Sequence, residues 1–444
     1  MFKWVGKISS HLKKLPFLFL TVFLIYNINL REISSGDTIP ARYIPISILQ
    51  EFNLDLDEFP GLYNNSINRN YLYIQKVNGH LLSSYPVVAS ILAVPIYAPF
   101  LFSGVDLYGR EIDVLSKLSS SAIVALSVLF IFITLKLIIN EDNALKISLL
   151  YAFATSNWSV SSQGLWQHGT VELFLSIALY FLVRSEKESK MILWASPFVA
   201  LAVSARMSVG IIAAIIYLYV LINHRKEAIK FAIPAIIIAL LLFSYNLYYF
   251  GTLTGGNARL EQKMAEFKGI PIWVANFLPG LAGLLISPSR GLFTYSPFLI
   301  FSLSGIYYIF KNKESSLYKY LILSSFLYLL LFSFYYEWFG GFTYGYRFLL
   351  DIIPILCLFL AFSINKILTS NNLKLVFTFL VAFSVFVQVV GFLNYPSGWN
   401  SIPKHIEKYP ERLWDIRDNQ ILRCVKNGSH FPFFLKSHYG NFPY

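Results

Sequence analysis

The chain has 444 residues, 56% hydrophobic and 14% charged, with a formal net charge of +12. That much apolar side chain exceeds what one soluble core hides, so lipid must act as its solvent. The basic residues sit singly or in short clusters between apolar runs, which marks cytoplasmic loops rather than a nucleic-acid surface. Cys357 lies in an apolar run and Cys424 in a polar segment, so no disulfide framework is implied.

At the N-terminus, Lys3, Lys7, Lys13 and Lys14 precede an apolar run over 16–30 with no small-residue cleavage site after it. This predicts an uncleaved signal anchor with its N-terminus in the cytoplasm. Further runs of spanning or near-spanning length lie near 118–139, 144–160, 169–184, 191–205, 207–222, 231–250, 292–310, 319–335, 349–365 and 373–392. With the anchor they make about eleven spans. The run 81–103 is ambiguous, because counting it as a crossing inverts every later loop.

Charge bias decides against that crossing. Without it, the inner loops contain Lys136 and Lys146; Arg184, Lys187 and Lys190; Arg225, Lys226 and Lys230; Lys311 and Lys313; and Lys366 and Lys374. The run, interrupted by Pro86, Pro95 and Pro99, then forms juxtamembrane or re-entrant helices on the outer face. The expected organisation is one all-α polytopic membrane domain over 1–392, whose first outer loop spans about 31–117. An outer C-terminal tail follows over 393–444.

The outer segments hold the candidate chemistry. Asp37, in the stretch Gly36-Asp37-Thr38-Ile39-Pro40-Ala41-Arg42-Tyr43, sits just past the first span. There it can act as a general base tuned by a cation such as Arg42, or simply cap the helix starting near Pro40. Asp55, Asp57 and Glu58 superficially form a DxD element of the kind that holds divalent metals, though a polar surface loop before Pro60 explains them as well. His80, followed by Tyr85, and Trp166 with His168 can hydrogen-bond or stack on a sugar or phosphate. The glycine-bearing loop after Phe250 can order over a ligand.

Arg206, Arg290 and Arg347 each stand at an outer helix end, where an arginine is costly without an anion. The alternatives are snorkelling and pairing with a local acid such as Glu337. Trp338 and Tyr346 can stack on sugar or isoprenoid, although aromatic belts put such residues at this level anyway.

The Gly36 to Tyr43 loop and the run Glu337-Trp338-Phe339-Gly340-Gly341-Phe342-Thr343-Tyr344-Gly345-Tyr346-Arg347 resemble outer-loop motifs of the GT-C superfamily of polyprenyl-phosphate-sugar-dependent glycosyltransferases, particularly its protein mannosyltransferase and aminoarabinose transferase group. The architecture is similar over most of the chain. The resemblance implies a GT-C-like helical bundle in which an acid of the first outer loop deprotonates the acceptor. It also implies that cations and aromatic residues hold the phosphate of the lipid donor as leaving group. Asp37 matches that acid, while Thr38 stands where protein O-mannosyltransferases have the second member of an Asp-Glu pair, so the acceptor stays open. The expected partners are a polyprenyl-phosphate-linked sugar donor, the lipid bilayer and an undefined acceptor, with no nucleic acid. No cofactor is expected, since many relatives using monophosphate lipid donors need no metal. The competing readings are an O-antigen ligase or polymerase, which normally has a larger late outer loop, and a transporter or flippase, which needs ionisable groups at mid-bilayer.

Overall fold

The computed structural model describes residues 2–64, 73–105, 109–269, 271–273, 277–395 and 397–427. The expected tail beyond residue 427 lies outside these. Among the described residues the protein is all helical apart from one two-stranded hairpin, β1 (Ile74–Val77) and β2 (His80–Ser83), paired antiparallel with Val77 opposite His80.

Most of each apolar run of the sequence falls on helix. The first is α1 (Phe2–Asn27), followed by α2 (Ile39–Gln50) and α3 (Val88–Phe102) in the first long loop. Then come α4 (Arg110–Leu135), α5 (Glu141–Phe153), α6 (Gln167–Ser185), α7 (Ile192–Ala205), α8 (Gly210–Asn223) and α9 (Ala228–Phe250). After α10 (Gly255–Lys268) and α11 (Phe277–Ile286), the bundle resumes with α12 (Phe301–Lys311), α13 (Ser316–Ser333), α14 (Ile353–Ala361), α15 (Ile364–Thr369) and α16 (Asn371–Asn394). A last helix, α17 (Gln420–Asn427), belongs to the tail. Four stretches, Arg110–Leu135, Arg225–Phe250, Ser316–Ser333 and Asn371–Asn394, are long and apolar enough to cross a membrane by length and composition.

Local chemistry sets the boundaries. Asn140 accepts a hydrogen bond from Asn143 N (2.9 Å) and caps α5, Ser315 caps α13, and α9 stops at Gly251 in the left-handed region (φ +66°). Small residues let helices approach closely: a Cβ on Gly305 would lie 1.9 Å from Phe359 O on α14. On α4, Ser116, Ser119, Ser120, Ser121 and Ser127 are buried, and Ser120 and Ser121 donate to Ser162 O. The outward faces of α9 and α16 carry exposed Ile233, Ile237, Leu241, Phe379 and Phe383, the surface expected against lipid.

The two ends of the bundle differ. At one end the turns meet through Lys14 and Lys136 with Glu141, Asn143 with Asn365, Ser189 with His224, and Ser316 with Asn223. At the other end, Glu32 accepts from Ser116 (2.5 Å) and Ile33 N donates to Gln163 O (2.9 Å). The segment between α1 and α4 therefore leaves and rejoins the bundle at the same end. Within it α3 packs on α2, with Ser90 Oγ donating to Ala41 O (2.9 Å).

Candidate functional site

Asp37 lies in a single tight turn, Gly36–Thr38, that leads into α2. The turn closes on itself through Thr38, whose hydroxyl donates to Ser35 O (2.8 Å), and Pro40 begins the helix. The carboxylate of Asp37 is therefore not spent on capping. It ion-pairs with Arg347, 310 residues later, through Oδ2, while Oδ1 is buried and accepts no hydrogen bond among the described residues. A buried carboxylate oxygen without a donor is costly and fits a site for an incoming one. Gly36 is required by the approach of Tyr73, whose ring would lie 2.0 Å from an added Cβ. Tyr73 in turn stacks on Tyr85 at 6.2 Å. Burial, and then the Asp37 carboxylate, push the Tyr85 phenol well above its ordinary value, so it is a neutral O–H donor beside the acid.

Arg347 is fixed from three further sides. Its Nε donates to His168 Nε2 (3.2 Å), Nη1 donates to Gly340 O (3.3 Å), and its guanidinium lies 4.7 Å from the Trp166 ring centre. Trp166 is itself buried and donates Nε1–H to Ile33 O (3.3 Å), so it forms a platform for Arg347. His168, in the first turn of α6, faces Asp351 through Nδ1 (2.8 Å). With an acid at Nδ1 and a guanidinium N–H at Nε2, the imidazole carries its proton on Nδ1 and is neutral.

Asp351 also receives Arg206 and the Tyr328 hydroxyl, and Tyr328 accepts from Arg206 Nη1 (2.6 Å). Arg206 stands 4.8 Å and 5.3 Å from the Phe332 and Phe348 ring centres. The cluster is graded in depth: Asp351 has 0% of its side chain exposed, Asp37 8%, Arg206 11% and Arg347 15%. Asp351 is thus an internal counter-charge, while the two arginines and Asp37 reach the rim. Asp351 and Tyr328 escaped the sequence reading. The available signal was an acid inside an apolar run, one helical turn after Arg347.

Other candidates lie elsewhere. Arg42 does not serve Asp37: it bonds Glu32 (3.0 Å) and Asp113, tying α2 to α4. There burial pushes the Glu32 carboxyl up to about 7, against the opposing pull of Arg42. Tyr43 packs on Phe59 at 4.9 Å. Arg290 is fully buried and donates to Phe339 O (2.8 Å), Gly341 O (3.0 Å), Ser289 O (3.1 Å), Asn400 (2.9 Å) and Gln420, which joins the tail to the loop preceding Arg347. Trp338 packs over Gly283 and against Trp414 (6.2 Å). Tyr346 bonds Ser296 (2.7 Å) and Ser156 N (3.0 Å) in the core. These three hold the scaffold and do not join the Asp37 network.

His80 contacts Asp57 at 2.7 Å and lies 3.7 Å from Asp55. One ligand atom from each of Asp55, Asp57 and His80 falls within 4.8 Å of the others, a donor set that suits a divalent ion. Two of the three already close on each other, and Asp57 Oδ1 accepts from Leu81 N (2.6 Å), which stabilises the hairpin without any ion. Glu58 is not part of the group and accepts from Ser47 (3.1 Å) and Asn53 (3.3 Å).

The family model for dolichyl-phosphate-mannose-protein mannosyltransferase matches residues 107–249. No curated protein matches the chain by sequence. Among solved structures, the archaeal oligosaccharyltransferase AglB from Archaeoglobus fulgidus, in complex with an inhibitory peptide and a dolichol-phosphate, aligns at a TM-score of 0.51 with 12% identity. It covers 90% of this chain and 59% of its own. The Archaeoglobus fulgidus oligosaccharyltransferase in complex with Zn and sulfate aligns at 0.50 with 13% identity, covering 90% and 57%. The chain therefore spans about three fifths of the length of the solved structures it matches. The family match is thus confined to residues 107–249, and the chain shares its fold with these solved structures.

Proposed function

We propose that this protein is an inverting transferase that takes a sugar from a polyprenyl phosphate carrier on the outer face of the membrane and passes it to an acceptor bound beside Asp37. The observation that carries this reading is the meeting of Asp37, from the first loop, with Arg347, from the late loop, through Oδ2, while the buried Oδ1 of the same carboxylate has no donor among the described residues. An acid beside two arginines is the set needed to remove a proton from a nucleophile and stabilise a departing phosphate.

The step balances as a single displacement. The acceptor's proton passes to Asp37, its nucleophilic atom bonds the anomeric carbon, and the bond from that carbon to the phosphate oxygen breaks. One displacement inverts the anomeric centre. The lipid phosphate leaves with a second negative charge, which Arg347 neutralises from a position fixed by His168, itself held by Asp351 together with Arg206. Tyr85, beside Asp37, orients donor or acceptor hydroxyls. The Asp55, Asp57 and His80 group takes no part in this step. A relative of the same fold bound to both a dolichol-phosphate and a peptide supports the pairing of ligands that the reading requires.

The basic turn at which Lys14 and Lys136 meet Glu141 supports, on the positive-inside rule, an orientation with the Asp37 end facing outward. The ionisable groups buried in the runs, such as Asp351 and Lys117, are held by fixed partners rather than strung along a path, which favours an enzyme over a transporter. Incubating the purified protein with a panel of polyprenyl phosphate sugars should release the lipid monophosphate with one of them, together with transfer of the sugar. No release from any donor, with the protein shown to be folded, would refute the reading.

A further inference from the structure

The two arginines of the site are not equivalent. Arg206 is matched by Asp351, a fully buried carboxylate that cannot move aside, and Tyr328 closes the same triangle. His168 is neutral. Arg347 is matched by Asp37, the only carboxylate paired with it among the described residues and one that stands on a loop turn at the rim. Counting charges, Arg206 and Asp351 cancel, and Arg347 and Asp37 cancel. A donor phosphodiester adds one negative charge, and two anions then depend on one guanidinium.

We propose that Asp37 and the donor phosphate are alternative anionic partners of Arg347, so that seating the phosphate releases the base. The inference rests on the function proposed above and adds its regulation. Two N–H groups of Arg347, one on each Nη, remain after its bonds to His168, Gly340 and Asp37, so a phosphate can reach the guanidinium before the carboxylate departs. Once both anions are present, the poorly solvated rim makes their repulsion expensive, and the phosphate, with more acceptor oxygens, keeps the arginine. A carboxylate freed from a guanidinium is a better proton acceptor than a paired one. Donor binding therefore prepares the base, and the acceptor is activated only after the donor is in place. The departing lipid phosphate, with two charges, holds Arg347 more firmly than the donor did, and its release lets the Asp37 pair re-form.

The exchange is testable because Arg347 does not depend on Asp37 for its position: His168, Gly340 and the Trp166 face hold it independently. Farnesyl phosphate, inorganic phosphate and farnesol are titrated into the full-length protein in detergent, using wild type, Asp37→Asn, Arg347→Gln and the double variant, with thermal melting as a control for folding. Asp37→Asn should bind both phosphates about ten-fold more tightly than wild type, the scale of a coupling between two sites on one charge. Arg347→Gln should bind them more weakly, the double variant no more tightly than Arg347→Gln, and farnesol alike throughout. Equal or weaker phosphate binding by Asp37→Asn, or a gain that persists without Arg347, overturns the exchange. Arg347-dependent binding that is indifferent to Asp37 overturns the exchange alone, whereas no phosphate binding by any folded variant removes the donor site itself.

Discussion

Replacing Asp351 by Asn probes the least visible part of the site. The side chain is 0% exposed and takes hydrogen bonds from three donors, Arg206, Tyr328 and His168. Asparagine keeps the volume but removes the charge and turns an N–H toward one of those donors. Removing one partner of a buried pair costs about 3–5 kcal/mol. The lower end applies, since Arg206 is 11% exposed and keeps its contacts with the Phe332 and Phe348 rings, so melting in detergent should reflect a loss of about 3 kcal/mol. Function should suffer separately. Without Asp351 the Nδ1 proton of His168 loses its anchor, and His168 no longer fixes Nε of Arg347; a misplacement of about 1 Å costs roughly a hundred-fold in rate. The assay is sugar transfer at saturating donor, normalised to folded protein, with Tyr328→Phe as the mild comparison, expected to lose about 1–2 kcal/mol and to keep transfer within a few-fold. An Asp351→Asn variant that transfers sugar at the wild-type rate per folded molecule would refute the positioning role.

Other outcomes follow from the surrounding residues. Gly36→Ala drives a methyl group into Tyr73 and should cost about 2 kcal/mol as overpacking while lowering transfer, because the displaced ring stacks on Tyr85 beside Asp37; unchanged melting and transfer would contradict that packing. Glu32 holds its proton in the folded protein up to about 7, against an ordinary value of 4.5. The folded state thus binds more protons across that interval, so its contribution to stability is complete below the ordinary value and declines as pH rises toward 7. Melting temperatures measured against pH should show this fall, and Glu32→Gln should flatten it. Removing divalent metal with a chelator should leave transfer within about two-fold, since the partners of Asp37 and Asp351 are guanidinium, imidazole and hydroxyl groups; strict dependence on added metal would require a different account of the base.

Much of the bundle was legible because transmembrane helices must satisfy their own backbone, and apolar runs therefore map onto helices with little help from context. The runs 169–184 and 373–392 fall on α6 and α16 almost to the residue. The run 81–103 divides instead, its first residues joining β2 and the rest forming α3 with Pro95 and Pro99 inside it. Partnerships across the chain were not legible, since Asp37 meets Arg347 only after 310 residues of packing have been decided. Arg42 is closer in sequence to Asp37, yet Glu32 and Asp113 compete for it successfully because α2 lies across the start of α4. Arg290 looked the same as Arg206 and Arg347 in sequence, but the carbonyls of Ser289, Phe339 and Gly341 together with Asn400 and Gln420 of the tail absorb its donors. Aromatic residues misled for the reason that made them attractive: Trp338 and Tyr346 sit at the right level but turn their faces into the scaffold. Asp351 stayed hidden in an apolar run, where only a survey of intramembrane acids would have singled it out.

The most direct test is transfer by Asp37→Asn with whichever polyprenyl phosphate sugar the wild type uses. The variant should still fold, because His168, Gly340 and Trp166 hold Arg347 independently of Asp37, while release of lipid phosphate and transfer of sugar fall to background. A folded Asp37→Asn protein that retains substantial transfer would contradict the assignment of Asp37 as the base.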